Sequence, residues 1–367
     1  MKIGLNATCI NSRPSGANQR FAGIYKELFL LMPNSEFIIY HSVDCDLSSW
    51  FSLPNVRYIK TPIHSEGGMG KFFYNLTYWN RQFQKEEFDY FECFNLPIVD
   101  SKNCKIFHTI HDIRSISLPS SKLHNFFSKM LHSQAINKAN KIITVSDSMK
   151  AEILRFFPDA DIFRLYNGID IESFQSIEEG AFEIVKSKLT IPENFLLSVG
   201  HFEHRKNYGN LIDAIYKLKC KGIIKPLVII GNDNGTKEEI QKKIYDLGLK
   251  DQVHIFSNIN NTDFKSIYQM CDIFVFPSLY EGFGIPILEA MACNKPIVLS
   301  KIPVFEEITQ MKCLYFNPAD HSSIANALEK MIFNKELAKA SIDYGAKRIN
   351  DFSFTNIASE LKSLYIT

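Results

Sequence analysis

Residues 273–300 read IFVFPSLYEGFGIPILEAMACNKPIVLS, and this stretch indicates the fold of the chain. A short run of aromatic and β-branched residues leads through a glycine-containing turn into a segment with helical spacing, and a second apolar run follows. Such strand–helix–strand units build parallel sheets that are covered by helices on both faces. The same alternation recurs along the chain, with about five strands in each half. The sequence therefore predicts an α/β protein of two doubly wound lobes.

The boundary between the lobes is predicted within residues 166–195, a polar and acidic segment that opens with an Asn-Gly turn. We predict an N-terminal lobe over residues 1–175, a C-terminal lobe over residues 176–350 and a terminal helix over residues 351–367. Ligands of open α/β sheets bind beyond the carboxyl ends of the strands. The chemistry is therefore expected in strand-to-helix turns that line a cleft between the lobes.

Composition and charge narrow the functional classes. The 367 residues carry a formal net charge of +1, which argues against nucleic acid as the main partner. The eight cysteines are scattered without a C-x-x-C pair, which favours free thiols in a reducing compartment over disulfides or a zinc site. The N-terminal MKIGLNAT lacks the apolar core of a signal peptide, and no apolar run is long enough to span a membrane. A cytoplasmic location is expected, at the inner face of the cell membrane if the protein contacts lipid.

The turn in the opening stretch carries two acids, with Glu281 at the strand exit and Glu289 in the helix that Pro286 can begin. Gly282 and Gly284 allow the backbone to approach a ligand, and amide groups at a helix N-terminus favour an anion such as phosphate. A carboxylate is also a bidentate acceptor for a pair of sugar hydroxyls. The alternative is that the acids only complement the helix dipole.

A second turn, SVGHFEHRKNYGN, places Arg205, Lys206 and Asn207 before a helix. Cations at a helix N-terminus face its positive end and gain no stability there, but they can hold a diphosphate and stabilise the charge that develops when it leaves. The alternative is a solvated pair of loop cations. His201 and His204 are assigned to the loop, because no third metal ligand is evident.

A third turn follows the predicted strand in IFHTIHDIRS. His108 is expected to be a strand residue with a hydrogen-bonded ring, whereas His111 is expected to point into the cleft and bind a sugar hydroxyl or move a proton. A fourth loop holds Gly16 but lacks the G-x-G-x-x-G fingerprint, which gives little support to hydride transfer. Two Asp-x-Asp pairs are interpreted as solvated turn acids: Asp44 with Asp46, and Asp159 with Asp161.

Aromatic and basic residues alternate in residues 67–88 and 122–141. Either segment could form an amphipathic helix whose apolar face contacts a membrane surface or a lipid-linked acceptor. The more ordinary expectation for both is an apolar face that packs on the protein's own sheet.

The motifs SGANQRFAGIYKEL, HTIHD, YNGID, SVGHFEHRKN, EGFGIPILEAMAC and FNPAD occur in this order along nearly the whole chain. In order and spacing the chain resembles the family-four retaining glycosyltransferases of the GT-B fold, and EGFGIPILEAMA resembles their mannosyltransferase branch. The resemblance implies two Rossmann-like lobes, with the nucleotide-sugar donor mainly on the C-terminal lobe and the acceptor on the N-terminal lobe. It also implies a terminal helix that crosses back to the first lobe.

The resemblance also implies roles for individual residues. Arg205 and Lys206 would bind the donor diphosphate, and Glu281 would contact the donor sugar. Glu289 would hold the ribose hydroxyls. His111 would face the donor sugar near the reacting carbon. The remaining residues that the resemblance places at the donor are Gly16, Gly282, Phe283, Gly284 and Ile285.

The function expected from these residues is transfer of a hexose, with mannose from GDP-mannose as the first choice, to a glycan or lipid-linked acceptor in the synthesis of a surface polysaccharide. The family generally needs no metal and no cofactor besides the donor. Two alternatives remain open, a sugar-nucleotide epimerase of the same fold and a two-lobed binding protein without activity. Detection of epimerised nucleotide sugar without acceptor would favour the first. Transfer that survives Glu281→Ala and Lys206→Ala would remove the site assignment.

Overall fold

The computed structural model describes residues 1–11, 15–66, 69–94, 96, 99–119, 121–176 and 180–366. Within these ranges, the side chains of residues 69–73, 75, 76 and 181 are not described.

The described residues form strands and helices in regular alternation. The strands are β1 Lys2–Asn6, β2 Glu36–His41, β3 Val56–Lys60, β4 Tyr90–Cys93, β5 Lys105–Ile110, β6 Lys141–Thr144, β7 Ile162–Arg164, β8 Leu196–Val199, β9 Leu227–Ile230, β10 Val253–Phe256, β11 Ile273–Phe276, β12 Ile297–Ser300 and β13 Leu314–Phe316. The helices are α1 Gly16–Leu31, α2 Met69–Lys85, α3 Arg114–Ser117, α4 Lys122–Lys138, α5 Asp147–Phe156, α6 Ile171–Gln175, α7 Ala181–Leu189, α8 Tyr208–Cys220, α9 Lys237–Asp246, α10 Asn261–Met270, α11 Ile285–Ala292, α12 Pro303–Ile308, α13 His321–Phe333, α14 Lys335–Arg348 and α15 Phe354–Ile366.

The chain divides into two compact units, the first made of Met1–Ile169 with Phe354–Thr367 and the second of Asp170–Ser353. The predicted boundaries were residues 175 and 350, whereas residues 170–175 belong to the second unit. The reason is that Phe174 on α6 packs its ring against Tyr268, with 6.0 Å between centroids.

The first unit is built on a seven-stranded parallel sheet with the order β3-β2-β1-β4-β5-β6-β7. The side chains of β2 point alternately to the two faces of the sheet. Phe37 belongs to the core that α1 and α15 cover, and Tyr40, on the other face, belongs to the core that contains Trp79. Both faces of the sheet are therefore buried, which matches the continuous apolar runs of the sequence.

The terminal helix α15 belongs to the first unit and packs on α1. Gly23 of α1 makes room for it, since a Cβ at this position would lie 2.2 Å from the ring of Phe354. At the other end of α15, the hydroxyl of Tyr365 donates to Glu92 Oε2 at 2.5 Å. The predicted return of the terminal helix to the first unit is therefore present in the structure.

The second unit is built on a six-stranded parallel sheet with the order β10-β9-β8-β11-β12-β13. The prediction of two doubly wound α/β lobes is confirmed. Two of the four edge strands, β3 and β13, were missed, because β3 contains charged residues and is only half-buried, and β13 has three residues. In the part of the chain that the structure describes, no helix is both long enough and apolar enough to cross a membrane.

Candidate functional site

The direction of winding reverses between β8 and β11 of the second unit. These strands are neighbours in the sheet, yet β9 and β10 continue to one side and β12 and β13 to the other. Such a switch point opens a crevice beyond the carboxyl ends of the two strands, where open α/β sheets bind ligands. The turns after β8 and β11 are the two that the sequence analysis selected for the donor.

Glu281, in the turn after β11, accepts hydrogen bonds from three side chains. Arg205 Nη1 donates to Oε2 at 2.6 Å, while Lys206 Nζ and Ser278 Oγ donate to Oε1 at 2.7 Å and 2.8 Å. A second carboxylate, Glu203, pairs with Arg205 Nη2 at 2.6 Å. Two cations and two carboxylates thus form a formally neutral cluster at the switch point, which we call the Glu281 cluster.

In the Glu281 cluster Lys206 is buried, whereas Glu203, Arg205 and Glu281 are half-buried. Burial alone would raise the pKa of Glu281, but the positive charges of Lys206 and Arg205 outweigh it and hold this pKa below its usual value. Lys206 is 6% exposed, and burial lowers its pKa although the charge of Glu281 opposes the shift. Arg205 and Lys206 are therefore ion-paired with acids of the two turns, and their role at a donor remains a prediction.

Arg205 has donor capacity beyond its two carboxylates. Its Nη1 also donates to the carbonyl of Tyr280 at 3.2 Å. Its Nε is buried and has no acceptor within the described ranges of the chain. Since a buried donor without a partner costs free energy, this N–H would gain from an added acceptor such as a phosphate oxygen.

Backbone geometry locks the turn after β8 against its neighbours. The amide of Leu279 donates to the carbonyl of Arg205 at 2.7 Å, which joins the turns after β8 and β11. Asn207 adopts a left-handed conformation with φ 59°, and its amide side chain donates to the carbonyls of Pro277 and Pro318. At the end of β9, a Cβ on Gly231 would lie 1.9 Å from the carbonyl oxygen of Gly200. The cations are thus held by a rigid backbone rather than by a flexible loop.

The helix α11 begins directly after the Gly-Phe-Gly turn, with Ile285 as its first residue and Pro286 in its first turn. Gly284 has φ +121°, and a Cβ there would lie 3.0 Å from the ring of Phe305, so the position requires glycine. Phe283 is buried and packs against Phe352 with 6.0 Å between centroids. Gly282 and Ile285 are half-buried, and the predicted contact of this turn with a donor remains a prediction.

Glu289, one turn into α11, has different surroundings. Its side chain is 4% exposed, and the hydroxyl of Tyr268 on α10 donates to Oε2 at 2.6 Å. Burial raises the pKa of Glu289 to about 7, although Tyr268 and the charge of Lys206 act in the opposite direction. The carboxyl therefore changes protonation near neutral pH. The charge of Lys206 acts on both Glu281 and Glu289, which ties the two acids to one region.

In the first unit, His111 follows the carboxyl end of β5 and is half-buried. Burial lowers its pKa to about 3, and the positive charge of Arg20 adds to the shift. Arg20 is 4% exposed and donates through Nη1 to the carbonyl of Tyr166 and to Asn167 Oδ1, both at 2.8 Å. His111 is thus a neutral imidazole beside the cation Arg20, with one nitrogen that donates and one that accepts a hydrogen bond.

The other sequence-selected residues of the first unit lie as follows. His108 is a buried residue of β5 whose Nδ1 bonds the carbonyl of Cys93 at 3.0 Å, as expected for a strand histidine. Gly16 is the exposed first residue of α1, next to Ser15, whose side chain caps the helix. The loop immediately before, residues 12–14, lies outside the described residues.

The Asp-x-Asp pairs carry ordinary surface contacts. Asp44 accepts from the amide and hydroxyl of Ser65, and Asp161 pairs with Lys141 at 2.8 Å. Among the residues with described positions, no group of three or more His, Cys, Asp or Glu side chains is placed to hold a metal ion.

The structure adds residues that the sequence analysis did not assign. Ser278 and Glu203 complete the Glu281 cluster, and their place next to the selected motifs is the signal that could have identified them. Tyr268 lies within α10 outside every quoted motif, and Arg20 lies within SGANQRFAGIYKEL, where no role was assigned to it. Within the second unit Tyr268 bonds Glu289, and within the first unit the charge of Arg20 acts on His111.

Two family models match most of the chain. The model "Glycosyltransferase Family 4" matches residues 38–173, and the model "Glycosyl transferases group 1" matches residues 181–348. The first match lies almost wholly in the first unit, and the second lies within the second unit, including the Glu281 cluster and Glu289.

Curated relatives and solved structures agree with these matches. The O-antigen chain mannosyltransferase RfbU of Salmonella typhimurium is 29% identical over 61% of this chain and 60% of its own length. O-antigen chain mannosyltransferase B of Escherichia coli is 24% identical over 70% of this chain and 69% of its own length. The chain thus aligns with 60–69% of these two relatives. Sucrose-phosphate synthase from Thermosynechococcus elongatus has the same fold, with a TM-score of 0.80 at 18% identity over 100% of this chain and 98% of that one.

Proposed function

Because the chain belongs to the glycosyltransferases of family 4 and group 1, with the GT-B fold, we propose that it transfers a hexosyl group from a nucleotide-diphosphate sugar to a hydroxyl group of a glycan. The acceptor is a growing or lipid-linked oligosaccharide in the synthesis of a surface polysaccharide. The reaction takes place in the cytoplasm, at the inner face of the cell membrane when the acceptor is lipid-linked.

One observation carries this proposal, the ion-paired Glu281 cluster at the switch point of the second sheet. Arg205 and Lys206 provide two positive charges that a diphosphate can share. The N–H at Arg205 Nε has no acceptor among the described residues and could donate to a phosphate oxygen. Glu281 balances these charges while no donor is bound, which avoids an unpaired buried cation. A preorganised pair of cations is what the departure of a nucleoside diphosphate requires.

Mannose is the proposed sugar, supplied as GDP-mannose. The support is that the relatives named above are mannosyltransferases of O-antigen chains. In this proposal the carboxylate of Glu281 accepts hydrogen bonds from sugar hydroxyls, and that of Glu289 accepts them from the ribose. Its neutral ring lets His111 exchange hydrogen bonds with a sugar hydroxyl.

The transfer is proposed to retain the configuration of the anomeric carbon. The oxygen of the acceptor attacks the anomeric carbon from the face on which the bond to the phosphate breaks. The proton of the acceptor hydroxyl passes to the departing phosphate oxygen. Arg205 and Lys206 stabilise the charge that grows on the diphosphate. Catalysis therefore depends on positioning and electrostatic stabilisation, and no protein nucleophile is needed. No metal is required in this scheme.

The test is a panel of nucleotide sugars, measured first by the shift in thermal unfolding and then by transfer to lipid-linked oligosaccharide. A donor that binds only the folded state raises the unfolding midpoint. We expect GDP-mannose to give the largest shift, and transfer to continue at the same rate after treatment with EDTA. The anomeric configuration of the product, read by nuclear magnetic resonance, tests retention.

The outcomes separate the parts of the proposal. A larger shift and faster transfer with another nucleotide sugar would reject mannose as the transferred sugar but would support the proposed transferase activity. Release of epimerised nucleotide sugar in the absence of acceptor would show that the protein is an epimerase and not a transferase. If no nucleotide sugar shifts the midpoint, the donor site itself is wrong.

A further inference from the structure

Three motifs of the sequence are joined in the first unit by one buried side chain, that of Arg20. It lies in SGANQRFAGIYKEL, its hydrogen-bond partner Asn167 lies in YNGID, and His111, on which its charge acts, lies in HTIHD. A role at the donor was predicted for His111, whereas Arg20 and Asn167 received none. The common partner of the three motifs is therefore a residue to which the proposed function gives no role.

Arg20 holds the segment that follows β7. Its Nη1 donates to the carbonyl oxygens of Leu165 at 3.1 Å and Tyr166 at 2.8 Å, and to Asn167 Oδ1 at 2.8 Å. Both Arg20 and Asn167 are buried. All three acceptors are uncharged oxygens, which do not require a cation as their donor. The bonds show that Arg20 fixes this segment, but they do not explain why the position carries a charge.

The fixed segment is linked by hydrogen bonds to the residue before His111. The amide of Leu165 donates to the carbonyl of Thr144 at 2.7 Å, and the hydroxyl of Thr144 donates to the carbonyl of Ile110 at 3.0 Å. Thr144 is the last residue of β6 and Ile110 the last residue of β5, so the bonds cross the carboxyl ends of three strands. Because His111 follows Ile110 directly, Arg20 supports the backbone that carries the imidazole ring.

The charge of Arg20 acts on the same ring. Burial lowers the pKa of His111 to about 3, and the charges of Arg20 and then of His108 act in the same direction. Asp112, which follows His111 in the chain, acts on His132 of α4. The ring of His111 is therefore uncharged at neutral pH.

Arg20 itself stays charged. Burial lowers its pKa, but Tyr25, Glu92 and Glu360 favour the charged form. A guanidinium group keeps its proton in proteins even where it is buried. The positive charge that acts on His111 is therefore a permanent feature of the first unit.

We propose that Arg20 is a positioning residue for the transfer reaction: it fixes the strand ends that carry His111 and sets a permanent positive charge against the ring. A neutral imidazole has one nitrogen that donates and one that accepts a hydrogen bond, whereas an imidazolium only donates. Arg20 thus keeps a hydrogen-bond acceptor available for a hydroxyl group of the sugar. The inference rests on the proposed function, because Arg20 acts through His111, the residue proposed to bind the donor sugar.

The alternative is a purely structural role. The segment that Arg20 holds leads to Ile169, where the first unit ends and the chain enters the second. Arg20 would then only fasten the end of the unit, and its loss would lower stability without any effect on His111. The two roles differ in the titration of His111 and in the rate of transfer.

The first measurement is the titration of the His111 ring in the full chain by nuclear magnetic resonance, with its signals identified by their loss in His111→Gln. Arg20→Gln keeps a donor but removes the charge, whereas Arg20→Lys keeps the charge. We expect the pKa of His111 to rise by roughly one unit in Arg20→Gln and to stay low in Arg20→Lys. The matched control Arg57→Gln removes an exposed arginine of β3 in the same unit and should leave the titration unchanged.

The second measurement is transfer from the nucleotide sugar that gives the largest shift in the panel. The kcat of Arg20→Gln should fall about 10²-fold with KM for the donor nearly unchanged, because a displaced ring disturbs the reacting geometry. Arg20→Lys should recover about tenfold of this loss, and Asn167→Ala, which keeps the charge, should lose about tenfold. The double variant Arg20→Gln/His111→Gln should be no slower than His111→Gln alone, since Arg20 acts through this ring.

Three results would overturn the proposal. The first is a His111 titration in Arg20→Gln that equals that of the unchanged chain. The second is a kcat within about threefold of the unchanged chain for Arg20→Gln or, where that variant does not fold, for Asn167→Ala. The third is a loss in the double variant that equals the product of the two single losses.

Unfolding midpoints of all variants give the temperature at which each is folded, and the rates are compared there. If the unchanged chain transfers no sugar, the proposed function fails by itself, while the titration still tests the link between Arg20 and His111. If the unchanged chain transfers sugar and Arg20→Gln does so equally fast, only the role of Arg20 is rejected.

Discussion

The turn after β11 holds a half-buried carboxylate, Glu281, and the helix α11 holds a buried one, Glu289, and the surroundings of the two differ. Glu281 is surrounded by two cations and a hydroxyl, so its pKa stays below the usual value. Glu289 has the neutral hydroxyl of Tyr268 as its partner, and burial raises its pKa to about 7. Burial acts on both in the same direction, so the difference comes from the number of positive charges within reach. One acid is a fixed anion, and the other titrates.

The largest effect is expected from removal of the fixed anion. Glu281→Gln leaves Lys206 buried without a full counter-charge, so we expect a loss of about 3–5 kcal/mol in the free energy of unfolding at neutral pH. The folded-state pKa of Glu281 is lowered, so its contribution is present above the unfolded value of 4.5 and is lost as the pH falls through the folded value. The measurement is denaturant unfolding at several pH values.

The control for this change is Glu193→Gln. Glu193 pairs with Lys186 at 3.1 Å, but both side chains are exposed, so about 1 kcal/mol or less is expected. Equal losses from the two variants would mean that the Glu281 cluster behaves as a surface ion pair.

The second prediction concerns Lys206, which is bonded to Glu281 and whose charge also acts on Glu289. Lys206→Ala should lower the transfer rate roughly 10²–10³-fold, because the growing charge of the departing diphosphate loses a preorganised partner. The comparison variant is Lys243→Ala, whose lysine pairs with Asp213 at 2.5 Å elsewhere in the same unit and should leave the rate unchanged. Transfer assays at saturating donor measure the effect. A loss smaller than about threefold would exclude Lys206 from the donor site.

The third prediction tests the titrating acid. Its folded-state pKa is raised from 4.5 to about 7, so the stability of the unchanged chain should fall by about 3 kcal/mol between pH 4 and pH 8 from this group alone. Glu289→Gln removes that decrease, so the variant should gain on the unchanged chain as the pH rises. Unfolding at both pH values gives the answer. If the two chains keep a constant difference, Glu289 does not titrate in this range.

The smallest effect is expected from Tyr268→Phe. The hydrogen bond from Tyr268 lowers the pKa of Glu289, so its loss should shift the titration of Glu289 to higher pH. Stability should fall by about 1–2 kcal/mol because a buried carboxyl loses its donor. If Glu289 holds the ribose as a carboxylate, binding of GDP-mannose strengthens as the pH rises through its pKa, and calorimetry should find this rise at higher pH in the variant. The adjacent Phe264→Leu, which keeps the hydroxyl, is the control.

Much of the fold was predictable because each lobe repeats a simple pattern. The apolar runs of β1, β2, β8, β11 and β12 are buried on both faces, so no alternation with polar residues obscures them. The edge strands β3 and β13 escaped because they are half-buried and, for β13, three residues long. The end of the first unit was placed six residues too late, since the ring contact of Phe174 with Tyr268 joins residues that are far apart in the sequence.

The candidate site was predictable where its residues sit in strand-to-helix turns. Arg205, Lys206 and Glu281 were selected from two turns 75 residues apart, and the structure brings them into direct contact. Tyr268 and Arg20 were not selected, because a residue in the middle of a helix reveals its partner only after the helix has packed. The apolar side chains of α4 were expected to pack on the sheet, but the four in residues 123–130 are exposed, which their spacing could not show.

The sequence by itself determined the alternation of strands and helices, the two lobes and the turns in which the acids and cations lie. It did so because side-chain periodicity and turn chemistry are local properties of the chain. The tertiary structure decided which charges meet, and therefore that Glu281 stays ionised while Glu289 titrates near neutrality. It also decided that the apolar side of α4 faces outward. Protonation and exposure depend on burial and on the distance to partners, and neither quantity exists before the chain is folded.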